Sequence, residues 1–132
     1  KDSSNIIGSI YKDFDSEILY TDPISSQLIK YLSNAYLPMR LSFANEASRI
    51  IASLDGDLNS VMKGIGLDKR IGNDYFRPSP GWGGSCFPKD VKEIMNIADS
   101  KSLNLPLMGN ILESNDIHMS WFAEKLINLN NF

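Results

Sequence analysis

Cys86 is the only cysteine of this 132-residue chain. It sits in Gly81-Trp82-Gly83-Gly84-Ser85-Cys86-Phe87-Pro88-Lys89-Asp90, between a glycine-rich loop and a helix start. Pro88 suits the first helical position, where its missing N–H costs nothing and its fixed φ is already helical. Asp90 then falls in the first turn, where negative charge is favoured. A thiol just ahead of a helix N-terminus feels the positive end of the helix dipole, and Lys89 adds a nearby cation. Both favour thiolate, the nucleophilic form, over thiol. Glycine also lets backbone N–H groups approach a bound anion closely. The pattern reads as a sulfur nucleophile beside an anion-binding loop. A buried, inert cysteine in a tight turn is the commoner fate of a lone thiol. Here the glycines, the helix start and the Lys89-Asp90 pair outweigh it.

Other candidates are weaker on spacing alone. Lys30 and Asn34 are four residues apart and share one helix face, where a lysine can stabilise an oxyanion and an asparagine can supply an oriented amide donor. Such a pair is also common on solvated faces. The stretch from Arg70 through Tyr75-Phe76-Arg77 to Gly83-Gly84-Ser85 combines guanidinium groups, suited to phosphate or sugar oxygens, with aromatic faces able to cover a nucleotide. Core packing competes for the aromatics, and one of the two is expected to be spent that way. Lys89 suits either substrate or solvent. His118, the only histidine, has no ligand-spaced partners for a metal and is expected to be packed or solvated.

The elements that must hold these residues follow from pattern. Ile6, Ile7, Ile10 and Phe14 recur at helical spacing over 5–14. Ile18-Leu19-Tyr20 is a short apolar run suited to one strand. Thr21-Asp22-Pro23 is a helix start, and the helix runs to about residue 53 with Ile24, Leu28, Tyr31, Leu32, Ala35 and Met39 as its apolar stripe. Pro38 interrupts it and predicts a kink at the Asn34 carbonyl. Asp55-Gly56-Asp57 ends that helix and caps a second over 57–64. Residues 66–87 form a long loop, of the kind usually kept for function. A third helix spans Pro88 to about Ser100, and a last one 106–129 carries Ile111, Leu112, Asn115, Met119, Phe122 and Leu126 at its period. The fold class is all-α.

Composition sets outer limits. At 42% hydrophobic and 22% charged the chain has the make-up of a soluble globular domain. A net charge of −3 gives no reason to expect nucleic acid or an acidic membrane as partner. One cysteine cannot form an internal disulfide, which fits a cytoplasmic setting. The opening Lys1-Asp2-Ser3-Ser4-Asn5 is neither an initiator nor a signal peptide, so the chain is expected to be a piece of something longer.

The decapeptide around Cys86 resembles the catalytic-cysteine signature of the UDP-glucose/GDP-mannose dehydrogenase family. Leu28-Ile29-Lys30-Tyr31-Leu32-Ser33-Asn34-Ala35-Tyr36-Leu37 with Ser42-Phe43-Ala44-Asn45-Glu46 resembles the first helix of that family's central domain. Gly64-Ile65-Gly66-Leu67-Asp68-Lys69-Arg70-Ile71-Gly72 resembles the segment leading to its substrate loop. The likeness extends over roughly residues 17–120. Pro38 departs from it, standing where the family commonly has alanine.

The resemblance implies a helical central dimerisation domain, similar to the helical C-terminal domain of 6-phosphogluconate dehydrogenase, over 23–120. Residues 1–22 would be the tail of a preceding Rossmann domain that holds NAD, with Ile18-Leu19-Tyr20 its last strand. Residues 121–132 would lead to a domain holding the nucleotide. No Gly-rich dinucleotide fingerprint occurs in this chain, so the NAD-binding residues lie elsewhere and the chain alone should be inactive. The implied reaction is a double oxidation of a nucleotide sugar, most simply UDP-glucose to UDP-glucuronate. Cys86 would add to the intermediate aldehyde as a thiohemiacetal, a second hydride loss would give a thioester, and water would release the acid. Lys30 and Asn34 would flank the reacting carbon, and Asp90 would position or deprotonate water, although plain dipole complementarity also explains an acid there. Arg70, Tyr75, Phe76, Arg77, Gly83, Ser85 and Lys89 would bind substrate, with Arg70 reaching into the dimer partner. Asn45 and Glu46 would be structural. GDP-mannose and UDP-N-acetylhexosamines remain open as substrates. A non-catalytic dimerisation module and a thiol hydrolase using His118 as base remain open as other classes.

Overall fold

The Asp22 carboxylate opens the central helix. It accepts from the Ser25 N–H at 3.0 Å, with Pro23 at the first helical position, satisfying a donor that the helix start leaves free. The computed structural model describes residues 2–129, and all its regular elements there are helical. These are α1 (Asp2–Tyr11), α2 (Pro23–Ser53), α3 (Leu58–Gly66), α4 (Cys86–Ser100), α5 (Pro106–Gly109) and α6 (Ile111–Leu129). Residues 1 and 130–132 lie outside the described region, so part of the expected 121–132 connection falls there. No helix among the described residues is long and apolar enough to cross a membrane.

α2 is the spine, packed by α3, α4 and α6. It continues through Pro38, which is buried. Leu54 and Asp55 (φ +53°) turn the chain out of α2, and Asp57 caps α3 by accepting from the Ser60 N–H at 2.8 Å. One core cluster joins Ala35, Trp82, Val91, Ile94 and Ile111; a second joins Ala44, Ile51, Met62 and Phe76. Burial of these side chains is the main force holding the helices together.

Four expectations change on contact with the structure. Residues 17–22 form no strand: a strand needs a neighbour to pair its N–H and C=O groups, and the described residues offer none. α4 starts at Cys86, two residues before Pro88, which still lies among the first four N–H positions that no helix satisfies. The last helix is broken at Asn110 into α5 and α6, and the Asn110 amide donates to the Pro106 carbonyl at 2.8 Å. The apolar stripe on α2 is only half used. Ile24, Leu28 and Leu32 are exposed, while the buried face further along is Ser42, Ala44, Asn45 and Ser48. α1 adds little to the core: Ile6, Ile7, Ile10, Tyr11 and Phe14 are each at least half exposed.

Candidate active site

Two helices build the site. Lys30 and Asn34, one turn apart on α2, both reach the α4 carboxylate of Asp90. Lys30 Nζ donates to Asp90 Oδ2 at 2.8 Å and Asn34 Nδ2 donates to the same oxygen at 2.6 Å. Burial is one-sided: the Asp90 side chain is 2% exposed and that of Lys30 61%. The Lys30 hydrogen bond first, and the Asn34 bond second, hold the Asp90 carboxyl below its ordinary value of 3.8 despite burial. The Asp90 bond in turn raises Lys30 above 10.5. The pair is therefore ionic at neutral pH. An ammonium so held can donate to a developing oxyanion but does not serve as a base there, and the carboxylate is the group able to accept a proton.

Cys86 heads α4, one turn before Asp90 and on the same face. It is exposed, and its Sγ lies 3.7 Å from Ser85 Oγ. Ser85 occupies the N-cap without a side-chain capping bond. Gly83, Ser85 and Lys89 are exposed around the thiol. Gly84 has φ +88°, a conformation that glycine adopts without strain. Cys86, Lys30, Asn34 and Asp90, which the sequence singles out from two separate stretches, thus gather at the α2–α4 seam.

The loop leading to Cys86 is held by residues that the sequence reading left as structural. Asn45 Oδ1 accepts from the Ser79 N–H at 2.8 Å, and His118 Nε2 lies 2.8 Å from the Ser79 carbonyl. A carbonyl only accepts, so Nε2 carries the proton. Three residues on, Asn115 takes both backbone groups of Trp82: Oδ1 accepts from its N–H and Nδ2 donates to its carbonyl, each at 2.9 Å. The indole N–H of Trp82 donates to Ser42 Oγ at 2.9 Å. Gly81 lies against Met119 and Asn115, where any Cβ would collide. The available signal was Asn115, a polar residue in the middle of an apolar stripe.

Among the described residues the remaining candidates make no hydrogen bond or ion pair with Cys86, Lys30, Asn34 or Asp90. The Arg70 guanidinium forms a forked pair with Asp68, closest at 2.6 Å, and its side chain is 89% exposed. Phe76 is the aromatic spent on the core, stacked on Phe43 with ring centroids 5.8 Å apart. Tyr75 (φ +52°) is half exposed, and Arg77 is exposed. Arg70 and Phe76 help line a cleft of about 660 Å³ with Tyr36, Arg40, Phe43 and Leu107. None of Cys86, Lys30, Asn34 or Asp90 lines it. Among the described residues no three His, Cys, Asp or Glu side chains are grouped to hold a metal.

Residues 24–117 match the profile of the UDP-glucose/GDP-mannose dehydrogenase family, central domain. The chain belongs to that family. The UDP-glucose 6-dehydrogenase of Rickettsia bellii is 35% identical over 132 residues, covering 98% of this chain and 30% of that protein. UDP-glucose 6-dehydrogenase YwqF of Bacillus subtilis is 34% identical over 126 residues, covering 96% of this chain and 29% of its own. A UDP-glucose dehydrogenase structure from the archaeon Pyrobaculum islandicum superposes with a TM-score of 0.83 at 35% identity, over 88% of this chain and 27% of that one. The chain therefore spans about 30% of the length of these dehydrogenases. The all-helical architecture is that of the family's central domain.

Proposed function

We propose that this chain is the catalytic-cysteine segment of a nucleotide-sugar dehydrogenase that oxidises UDP-glucose to UDP-glucuronate. The observation that carries the reading is the convergence of Lys30 and Asn34 on Asp90, one turn from an exposed thiol. The described residues include no strand, glycine turn and helix of the kind that cradles a dinucleotide, so they do not fit NAD, the hydride acceptor that the family implies. Its residues belong to another part of such an enzyme.

The steps left to this chain are those at sulfur and oxygen. Cys86 Sγ adds to the aldehyde carbon, forming a C–S bond, and the carbonyl oxygen takes up the negative charge. Lys30 Nζ, fully protonated at neutral pH, donates to that oxygen. At the thioester stage water attacks the same carbon and the C–S bond breaks, with sulfur leaving as thiolate. Asp90 accepts the proton of that water, and Asn34 orients the carboxylate through its 2.6 Å bond. The exposed Arg77, Gly83, Ser85 and Lys89 supply donors for the anionic part of the substrate, and the half-exposed Tyr75 offers a face to it.

The same reading pairs two copies of the chain through α2 and its neighbours, where Tyr36, Phe43 and Ile50 are more than half exposed. It sends Arg70, which makes no hydrogen bond or ion pair with its own Cys86 cluster, to the partner's site. The test is NADH yield from limiting UDP-glucose in a dehydrogenase of the relatives' full length that carries this segment, with the 132-residue chain as the inactive control. About two NADH per sugar is expected for two hydride transfers through one thiol. No NADH with UDP-glucose, but yield with GDP-mannose or a UDP-N-acetylhexosamine, would move the assignment within the family. Turnover by the 132-residue chain alone would overturn the division of labour.

A further inference from the structure

We infer that Asn115 is a positioning residue for Cys86, acting with Asn45 and His118 through the loop between them; the inference rests on the role proposed above for Cys86. The stretch Ser79–Trp82 has no helix or strand to fix it, yet both backbone groups of its first and last residues are gripped by side chains from α2 and α6. The grip is a fixed template. Asn115 supplies a donor and an acceptor to a single residue, a match that needs a carboxamide of that length. Gly81 is pressed between the grips against Met119 and Asn115, so the stretch has no room to slide.

Two features argue for placement rather than stability as its purpose. Asn45 Nδ2 and His118 Nδ1 are buried without a partner. Buried polar atoms left unpaired cost free energy, and an apolar contact would hold a loop without that cost. Second, α4 lacks a local cap: Ser85 makes no side-chain capping bond. The first turn of α4, which carries Cys86, therefore depends on where the chain arrives from Trp82, four residues earlier. Releasing Trp82 frees that turn to fray. Cys86 then leaves the field of the helix terminus and its place one turn from Asp90.

The chain has one cysteine, so its alkylation reports on Cys86 alone and requires no substrate. The rate of reaction with iodoacetamide at pH 7 is to be compared in the whole chain for wild type, Asn115→Ala, Asn115→Asp and Met62→Ala. Met62 belongs to the second core cluster, and its truncation destabilises without touching the grip. Asn115→Ala is expected to slow alkylation about threefold or more. Asn115→Asp keeps the acceptor for the Trp82 N–H but turns an oxygen toward the Trp82 carbonyl that Nδ2 serves, so it should slow alkylation as well, and it decides the matter should Asn115→Ala not fold. Met62→Ala, while folded, should react as wild type. Wild-type rates in both Asn115 variants, or equal slowing in Met62→Ala, would overturn the inference. Because the readout is independent of sugar and NAD, failure of the dehydrogenase reading in the NADH assay would be seen separately.

Discussion

Two of the groups of polar side chains that join α2 to the rest of the molecule work by different physics. At Lys30, Asn34 and Asp90 the link is ionic, with one buried and one exposed partner. At Asn45, Asn115, His118 and Trp82 the link is buried, made of amides, an imidazole and backbone. A charged link with an open side can exchange partners with a substrate oxygen or a water. A buried link to backbone holds the chain in place and has no open side on which to exchange. The difference separates a reacting group from its mounting: the first must be able to let go, the second must not.

The largest effect expected from breaking this contrast is at the reacting end. Cys86→Ser should leave the melting temperature unchanged, because the side chain is exposed. In the full-length dehydrogenase it should stop the oxidation short of the acid, dropping the NADH yield per sugar from about two to no more than about one. Two NADH from that variant would remove Cys86 from the chemistry.

The mounting should respond in the opposite way. Trp82→Ala removes a buried indole and its bond to Ser42, and urea unfolding should show a loss of about 3–5 kcal/mol. Asn45→Ala should cost less, about 1 kcal/mol: it strands the Ser79 N–H but also removes the unpartnered Asn45 Nδ2. Both losses should be the same at pH 5 and pH 8, since neither residue titrates.

The ionic link should show the reverse signature. Asp90 titrates below its ordinary 3.8 in the fold, so its contribution is complete above that value and is lost as pH falls through the lower, folded one. Lys30 titrates above 10.5, so its contribution is complete below that value and is lost as pH rises through the higher, folded one. The link's own share of stability, read as the difference in melting temperature between wild type and Asp90→Asn, should therefore be flat between these limits and shrink at each end. Asp90→Asn should flatten the acid limb, and parallel curves for variant and wild type would refute the link. Smallest of all, Arg70→Ala should leave stability unchanged, because its pair with Asp68 is solvent-screened.

The reacting end was legible in the sequence because its residue types are diagnostic at short range. A thiol among glycines before a helix, and a lysine and asparagine four apart, restrict the chemistry before any fold is known. The mounting was hard to read. Asn45 and His118 look like ordinary helix positions, and only the fold reveals that both meet Ser79. The helices themselves followed from caps and period, with Asp22-Pro23 and Asp57 marking starts as expected. The strand failed because an apolar run specifies burial, not pairing. The apolar stripe on α2 held at Tyr31, Ala35 and Met39, which pack into the first core cluster, and failed at Ile24, Leu28 and Leu32, which are exposed; beyond it the helix buries Ser42, Ala44, Asn45 and Ser48, small or hydrogen-bonded residues that no apolar period marks. Phe76 and Tyr75 are adjacent in sequence and opposite in fate, a distinction set by which of them faces Ala44 and Met62.

Lys30 and Asp90 are 60 residues apart in the chain, and Asn34 and Asp90 are 56 apart. Closing a segment of that length has an entropic cost that only the docking of α4 on α2 can offset. During synthesis α2 and α3 are complete long before Asp90 is made, so any folding that begins with them proceeds with half of the ionic link missing. The thiol arrives at the head of the same helix as the carboxylate. The Lys30–Asn34–Asp90 cluster can thus close only after α4 has been made, and a chain stalled before α4 docks carries neither thiol nor carboxylate beside its lysine.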